Sequence, residues 1–214
     1  MPTTPDHSRT TQPVVRPADA QPGVLPHLTT ERWLLSTHPS PRDARAEWAE
    51  HGVAVLALGT LFSAIRIPGR VVQAVAASTD PADIDAVLDE ILGGGPVICD
   101  IHGPRYYALV PANVPRTWRD AVDDWRKDDI ECLGHGTYLG VPRLDAVEFA
   151  VRGTASYWSV PLTTPARLCR PLAVARLIAA GVPTPAEERG TWPTDTPLTR
   201  RAETTREDGV TRPE

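Results

Sequence analysis

Apolar positions along the chain predict several helices, of which residues 80–92 form the clearest. The apolar residues of that segment recur at the spacing of one helix face: Ile84, Val87, Leu88 and Ile91. Asp80 fits the N-cap position, and a glycine follows the last turn. The same signals predict helices over residues 41–51 and 171–180, with a weaker one over residues 69–77.

Short apolar runs bounded by glycine and proline predict the strands. These runs cover residues 53–58, 62–67, 96–101, 105–111, 130–133, 137–142 and 157–160. A short turn separates the third run from the fourth and the fifth from the sixth, which predicts two hairpins. The order of helices and strands predicts an α+β fold, a mixed, largely antiparallel sheet with helices packed on one face.

The two ends of the chain differ from its middle in composition. Residues 1–28 and 184–214 are rich in proline, threonine and charged residues and show no apolar periodicity. Such segments cannot bury enough apolar surface to offset their chain entropy. We therefore expect disordered tails on either side of one domain over residues 30–183.

Composition excludes several classes of protein. The chain of 214 residues has no apolar run of the ~18–20 residues that cross a membrane, and its first residues predict no signal peptide. Its three cysteines form no CxxC motif, so we expect a reduced, cytoplasmic protein without a membrane partner. The net charge of −5 gives no general attraction to nucleic acid. The GxSxG, Walker and HExxH motifs are absent.

Three segments carry a resemblance to a known family. They are residues 58–68 (LGTLFSAIRIP), residues 96–111 with the turn GPRYY, and residues 130–142 (IECLGHGTYLGVP). In order and spacing they resemble the three motifs of the bifunctional DNA primase/polymerase (prim-pol) N-terminal domain family, as in a degenerate actinobacterial-type member. The resemblance covers about residues 45–145. It implies a prim-pol core with an RRM-like sheet and a role in DNA replication.

The residues at the motif positions depart from the family pattern. Prim-pol enzymes join nucleotides with two divalent metals, which are held by motif carboxylates. By the resemblance, two of these positions are Arg66 and Pro68, and the motif histidine is Tyr106. Glu131 is the acidic residue that remains, and one carboxylate cannot hold two Mg²⁺ or Mn²⁺ ions. We therefore expect that primase and polymerase catalysis is lost and that the chain needs no metal cofactor.

A degenerate pocket of this kind can still bind a ligand. Arg66 and Arg105 could hold a phosphate directly through charge-assisted hydrogen bonds, and either Tyr106 or Tyr107, which alternate along one strand, could stack a base. The alternative is that Arg66 forms a structural salt bridge with Glu131 that fills the vacated site. The sequence predicts a non-catalytic binding or regulatory protein, with a nucleotide, nucleic acid or a replication-related protein as its partner.

A rebuilt metal site is the other hypothesis. Asp100, His102, Glu131 and His135 all lie in or beside the two predicted hairpins and are residue types that ligate Zn²⁺ or Mn²⁺. Such a site would make the chain an active DNA primase/polymerase or another metal-dependent enzyme, with Mg²⁺ or Mn²⁺ as cofactor. Exposed imidazoles at turns are common, however, and are the simpler interpretation of the two histidines.

Overall fold

Groups of helices and groups of strands follow one another along the part of the chain that the structure, a computed structural model, describes: residues 24–149 and 156–183. The helices are α1 (Val24–Leu35), α2 (Pro41–His51), α3 (Gly69–Ala76), α4 (Pro81–Leu92), α5 (Val114–Thr117), α6 (Arg119–Trp125) and α7 (Pro171–Gly181), with a 3₁₀ turn at Arg126–Asp128. The strands are β1 (Val53–Ala57), β2 (Phe62–Pro68), β3 (Val97–Asp100), β4 (Arg105–Pro111), β5 (Glu131–Leu133), β6 (Tyr138–Pro142) and β7 (Ser156–Val160). Within the described ranges, every helix is too short or too polar to cross a lipid bilayer.

Local capping sets the ends of the predicted helices. The side chain of Ser40 accepts a hydrogen bond from the backbone N–H of Asp43 at the start of α2, and Asp80 does the same for Ala82 at the start of α4. A proline occupies the first turn of both helices. Helix α4 ends at Gly93, whose φ of 59° is in the left-handed region that favours glycine. These short-range interactions explain why the sequence predicted both helices correctly.

The strands form two antiparallel sheets. Five strands pair in the order β5-β2-β4-β3-β7, and β1 pairs with β6 in a separate two-stranded sheet. Strands β2 and β4 of the larger sheet pair along their whole length, from Phe62 opposite Pro111 to Pro68 opposite Arg105. The predicted α+β class is confirmed, and every strand pairing within the described residues is antiparallel.

The second predicted hairpin, over residues 130–142, is wrong. Strand β5 pairs with β2 in the larger sheet, whereas β6 pairs with β1 in the smaller one. The chain passes between the sheets through a turn in which Thr137 donates its backbone N–H to the carbonyl of Gly134. An apolar run shows that a segment is a strand, but it does not specify the neighbour with which that strand pairs.

The larger sheet is covered on both faces. Residues 62–65 of β2 are all buried, so neither face of this strand is open to solvent. One face packs against α3, α4 and α7, and the other packs against the smaller sheet together with α1 and α2. The expectation that helices cover one face is therefore wrong, because a strand buried on both faces requires a layer on each side.

The described elements form one compact unit, which ends at Val182. Its first helix, α1, begins inside the segment for which the sequence predicts a tail (residues 1–28), so that prediction is wrong from residue 24 onward. The helix is held by Leu34 and Leu35, which are fully buried in the core beneath the smaller sheet. The remainder of the predicted tails, residues 1–23 and 184–214, lies outside the described residues.

Candidate functional site

Three of the four predicted pocket residues lie at the same end of the larger sheet. Arg66 is opposite Tyr107 of β4 and opposite Glu131 of β5. Arg105 is two residues before Tyr107 and therefore on the same face of β4. Because directly opposite residues of antiparallel strands share a face, Arg66, Arg105 and Glu131 project from one side of the sheet.

Tyr106 lies on the opposite face from these residues. It is 4% exposed and belongs to the core between the larger sheet and α3, α4 and α7. Tyr107 is the tyrosine beside Arg66. Burial and Asp100 raise the pKa of the Tyr107 phenol, while Arg105 and Arg66 lower it. The prediction that Tyr106 joins the pocket is wrong, because neighbouring strand residues point to opposite faces.

Three arginines line one open cavity at this end of the sheet. Its volume is about 450 Å³, and its lining consists of Arg66, Pro68, Gly69, Arg70, Gln73, Gly103, Pro104, Arg105 and Asp129. We call this cavity the arginine pocket. Arg70, which follows Arg66 by four residues at the start of the helix after β2, is not among the residues predicted from the sequence. The separation of four residues between Arg66 and Arg70, across the predicted junction of a strand and a helix, is the sequence feature from which Arg70 could have been predicted.

Ion pairs hold two of the three arginines in place. The Nη2 atom of Arg66 is 2.9 Å from Oε2 of Glu131, and the two side chains are 34% and 47% exposed. The Nη2 atom of Arg70 is 3.3 Å from Oδ2 of Asp129. Among the described residues, no carboxylate forms an ion pair with Arg105. The predicted salt bridge between Arg66 and Glu131 is thus confirmed, but a cavity remains beside it.

The pocket wall includes a close approach between Gly69 and Pro104. The backbone N–H of Gly69, the first residue of α3, donates to the carbonyl of Pro104 at 2.7 Å. A Cβ atom at Gly69 would lie 2.7 Å from the Cβ of Pro104, which is closer than van der Waals contact permits. This contact fixes the start of α3, which carries Arg70, against the turn that precedes Arg105.

The four residues of the alternative metal site are not brought together. Asp100 ends β3 and Glu131 begins β5, and β2 and β4 lie between these two strands, which separates them by roughly 14 Å. A carboxylate oxygen of Asp100 accepts a hydrogen bond from the backbone of His102, and Glu131 pairs with Arg66. His135 lies in the crossover between the sheets. Nowhere in the described residues do three His, Cys, Asp or Glu side chains form a metal-binding group.

A second, smaller cavity lies on the helix-covered side of the sheet. Its volume is about 180 Å³, and it is lined by Gln73, Thr79, Pro81, Ile84, Cys99, Ile101, Pro104, Tyr106, Phe149 and Tyr157. We call it the aromatic cavity. Burial raises the pKa of Cys99 to about 11 and also raises the pKa values of Tyr106 and Tyr157. The thiol and both phenols are therefore uncharged at neutral pH.

Asp85 of α4 anchors one wall of the aromatic cavity. Its carboxylate accepts hydrogen bonds from the hydroxyl of Tyr157, at 3.1 and 3.2 Å, and from the hydroxyl of Ser159. Burial raises the pKa of Asp85, although both hydrogen bonds act to lower it. Burial thus changes the pKa of Asp85 more than the two hydrogen bonds do.

The raised pKa of Asp85 predicts a pH-dependent stability. The folded state binds the proton of Asp85 more tightly than the unfolded state does, so protonation of this carboxyl stabilises the fold. This stabilisation is complete below the ordinary pKa of 3.8 and is lost as the pH rises through the pKa that Asp85 has in the folded protein. We expect Asp85→Asn to abolish this dependence of stability on pH. At neutral pH, its free energy of unfolding should lie within about 1 kcal/mol of that of the parent. Urea denaturation at pH values on both sides of 3.8 measures the effect.

A second variant provides the contrast. Asp85→Ala leaves the hydroxyls of Tyr157 and Ser159 without their carboxylate acceptor, and we expect it to lower the free energy of unfolding by about 1–3 kcal/mol. An equal stability of the alanine and asparagine variants would show that these hydrogen bonds contribute nothing.

The chain is thus an antiparallel α+β protein with a cationic pocket at one end of its larger sheet. Its comparison with protein-family models, curated proteins and solved structures yields no match. The function is therefore inferred from the chemistry of the pocket.

Proposed function

We propose that this chain is a non-catalytic binding protein whose arginine pocket holds the phosphate groups of a nucleotide. The observation that carries the proposal is the convergence of Arg66, Arg70 and Arg105 on one cavity. Asp129 is the one acidic residue among the described residues of the lining, which therefore carry an excess of positive charge. An anion is the ligand that such a cavity favours.

Phosphate is an anion that the geometry of a guanidinium group fits well. Each arginine presents five N–H donors in a planar fork that matches the spacing of phosphate oxygens. The ion pairs of Arg66 with Glu131 and of Arg70 with Asp129 engage some of these donors and orient the forks. Arg105 has no ion pair within the described residues, which makes it the strongest candidate for direct contact with the ligand.

The prim-pol resemblance supports a nucleotide and argues against catalysis. The positions that resemble the metal-binding carboxylates of that family are Arg66 and Pro68. A guanidinium repels a divalent cation, and proline has no side-chain donor for one. In this proposal the arginines bind directly the phosphates that a metal would otherwise bridge. Nucleic acid and a replication-related protein are the other partners that the resemblance implies.

Calorimetric titration of the full chain with ATP and with inorganic triphosphate tests the binding. We expect both ligands to bind, and Arg105→Ala to weaken both about tenfold or more, since hydrogen bonds between charged groups are strong. Arg119→Ala is the matched control, because it removes the same charge from a side chain that is 81% exposed and lies outside the pocket. If neither ligand binds, or if both variants lose the same affinity, the proposal is wrong.

A primer-synthesis and extension assay tests the loss of catalysis. With Mn²⁺ and labelled nucleotides, we expect the parent chain to incorporate no more label than an Arg66→Ala variant. Incorporation by the parent that the variant lacks would show that the chain is an active polymerase.

A further inference from the structure

The arginine pocket and the aromatic cavity are neighbours. Two residues, Gln73 of α3 and Pro104 of the turn before β4, line both of them. The two cavities therefore border each other at these two side chains. The two volumes together fall within the ~300–1,000 Å³ typical of small-molecule sites.

The linings of the two cavities differ in chemistry. Three arginines line the first, whereas no charged residue is among the described residues that line the second. The aromatic cavity is walled by isoleucines and by the rings of Tyr106, Phe149 and Tyr157. Uncharged phenols and aliphatic walls suit a planar, apolar group with polar edges. A phosphate group does not belong in such a cavity.

Phe149 provides an exposed ring at this cavity. It is 43% exposed, and its ring packs edge to face against Tyr157 with a centroid distance of 5.9 Å. The solvent-accessible part of this phenylalanine offers a surface on which another planar ring can stack. The edge-to-face contact with a buried tyrosine holds its ring in place.

Gln73 lies between the two sites. Its side chain is partly buried, and it makes no side-chain hydrogen bond to another described residue. An amide offers both donors and an acceptor. A group that joins a charged end of a ligand to an aromatic end would pass this amide.

From this arrangement we propose that the aromatic cavity holds the base of the nucleotide whose phosphates lie in the arginine pocket. The inference rests on the proposed function and extends it from a phosphate site to a site for a complete nucleotide. Phe149 stacks on the base, and Gln73 makes polar contacts with the sugar or the base edge. The two cavities then recognise the two chemically different ends of one molecule.

Titration of the parent chain with ATP and with inorganic triphosphate separates the two sites, because the second ligand has the phosphates without the base. We expect ATP to bind about tenfold more tightly than triphosphate, in line with the contribution of one stacked base. Phe149→Ala is expected to abolish that difference and to leave triphosphate affinity unchanged. Phe149→Tyr keeps the ring and is expected to keep the difference.

Leu172→Ala is the matched control, because Leu172 is an exposed apolar residue outside both cavities. It should alter neither affinity. Equal affinities for ATP and triphosphate that Phe149→Ala does not change would overturn this inference and leave the phosphate site intact. If triphosphate also fails to bind, the proposed function fails together with the inference.

Discussion

Replacing Arg66 by glutamate is expected to weaken the binding of inorganic triphosphate by about a hundredfold or more. The change removes one guanidinium from the arginine pocket and places a carboxylate beside Glu131 and the bound anion. Repulsion between like charges at a binding site costs several kcal/mol, and about 3 kcal/mol corresponds to this loss. Calorimetric titration at fixed ionic strength measures it, because salt screens such interactions.

A charge exchange provides the control. The double variant Arg66→Glu with Glu131→Arg restores the ion pair and returns a guanidinium to the same end of the sheet. We therefore expect it to bind triphosphate at least about tenfold more tightly than the single variant Arg66→Glu does. The native pair is partly exposed, so the single variant should change the free energy of unfolding by less than about 1 kcal/mol. If Arg66→Glu retains full affinity while folding normally, the phosphates do not bind in this pocket.

Trp158→Ala is expected to lower the free energy of unfolding by about 3–5 kcal/mol, the usual cost of removing a fully buried tryptophan. Trp158 is 1% exposed in the core between the two sheets. Its indole N–H donates to the carbonyl of Arg143, and its backbone N–H donates to the carbonyl of Ala146. Both acceptors follow β6, so Trp158 attaches the segment after the smaller sheet to the edge of the larger one through its side chain and its backbone.

Urea denaturation followed by circular dichroism measures the stability of this variant. Trp118→Ala is the comparison, because Trp118 packs only partly buried against the other core, and we expect it to cost less than half as much. A loss below about 1 kcal/mol for Trp158→Ala would contradict the packing between the two sheets.

Local interactions made most of the secondary structure predictable. Helices α2 and α4 are set by the capping residues Ser40 and Asp80 and by the glycines after them, all within one turn of the helix ends. Most of the strands are short, mainly apolar runs bounded by glycine or proline residues. The predicted proximity of Arg66 and Glu131 came from the family resemblance, and the register of β2 with β5 places them in contact.

Predictions failed where the outcome depended on distant residues. The pairing of β6 with β1 instead of β5 is decided by burial of Leu139 and Val141 in the core beneath the smaller sheet. The choice between Tyr106 and Tyr107 depends on which face of β4 meets the helices, and a shift of one residue in a strand exchanges the two faces. The first helix, which begins within the predicted tail, was likewise not predictable, because its leucines are buried in a core that distant residues form.

The amino-acid sequence alone determined the α+β class, the order of helices and strands and the charges available to a site, because these follow from residues that are close together in the chain. Only the tertiary structure decided that Arg70 joins Arg66 and Arg105, and that a cavity adjoins them at Gln73 and Pro104 whose described lining residues are all uncharged. Both depend on where α3 and the turn before β4 meet. That meeting is fixed by packing between segments more than thirty residues apart.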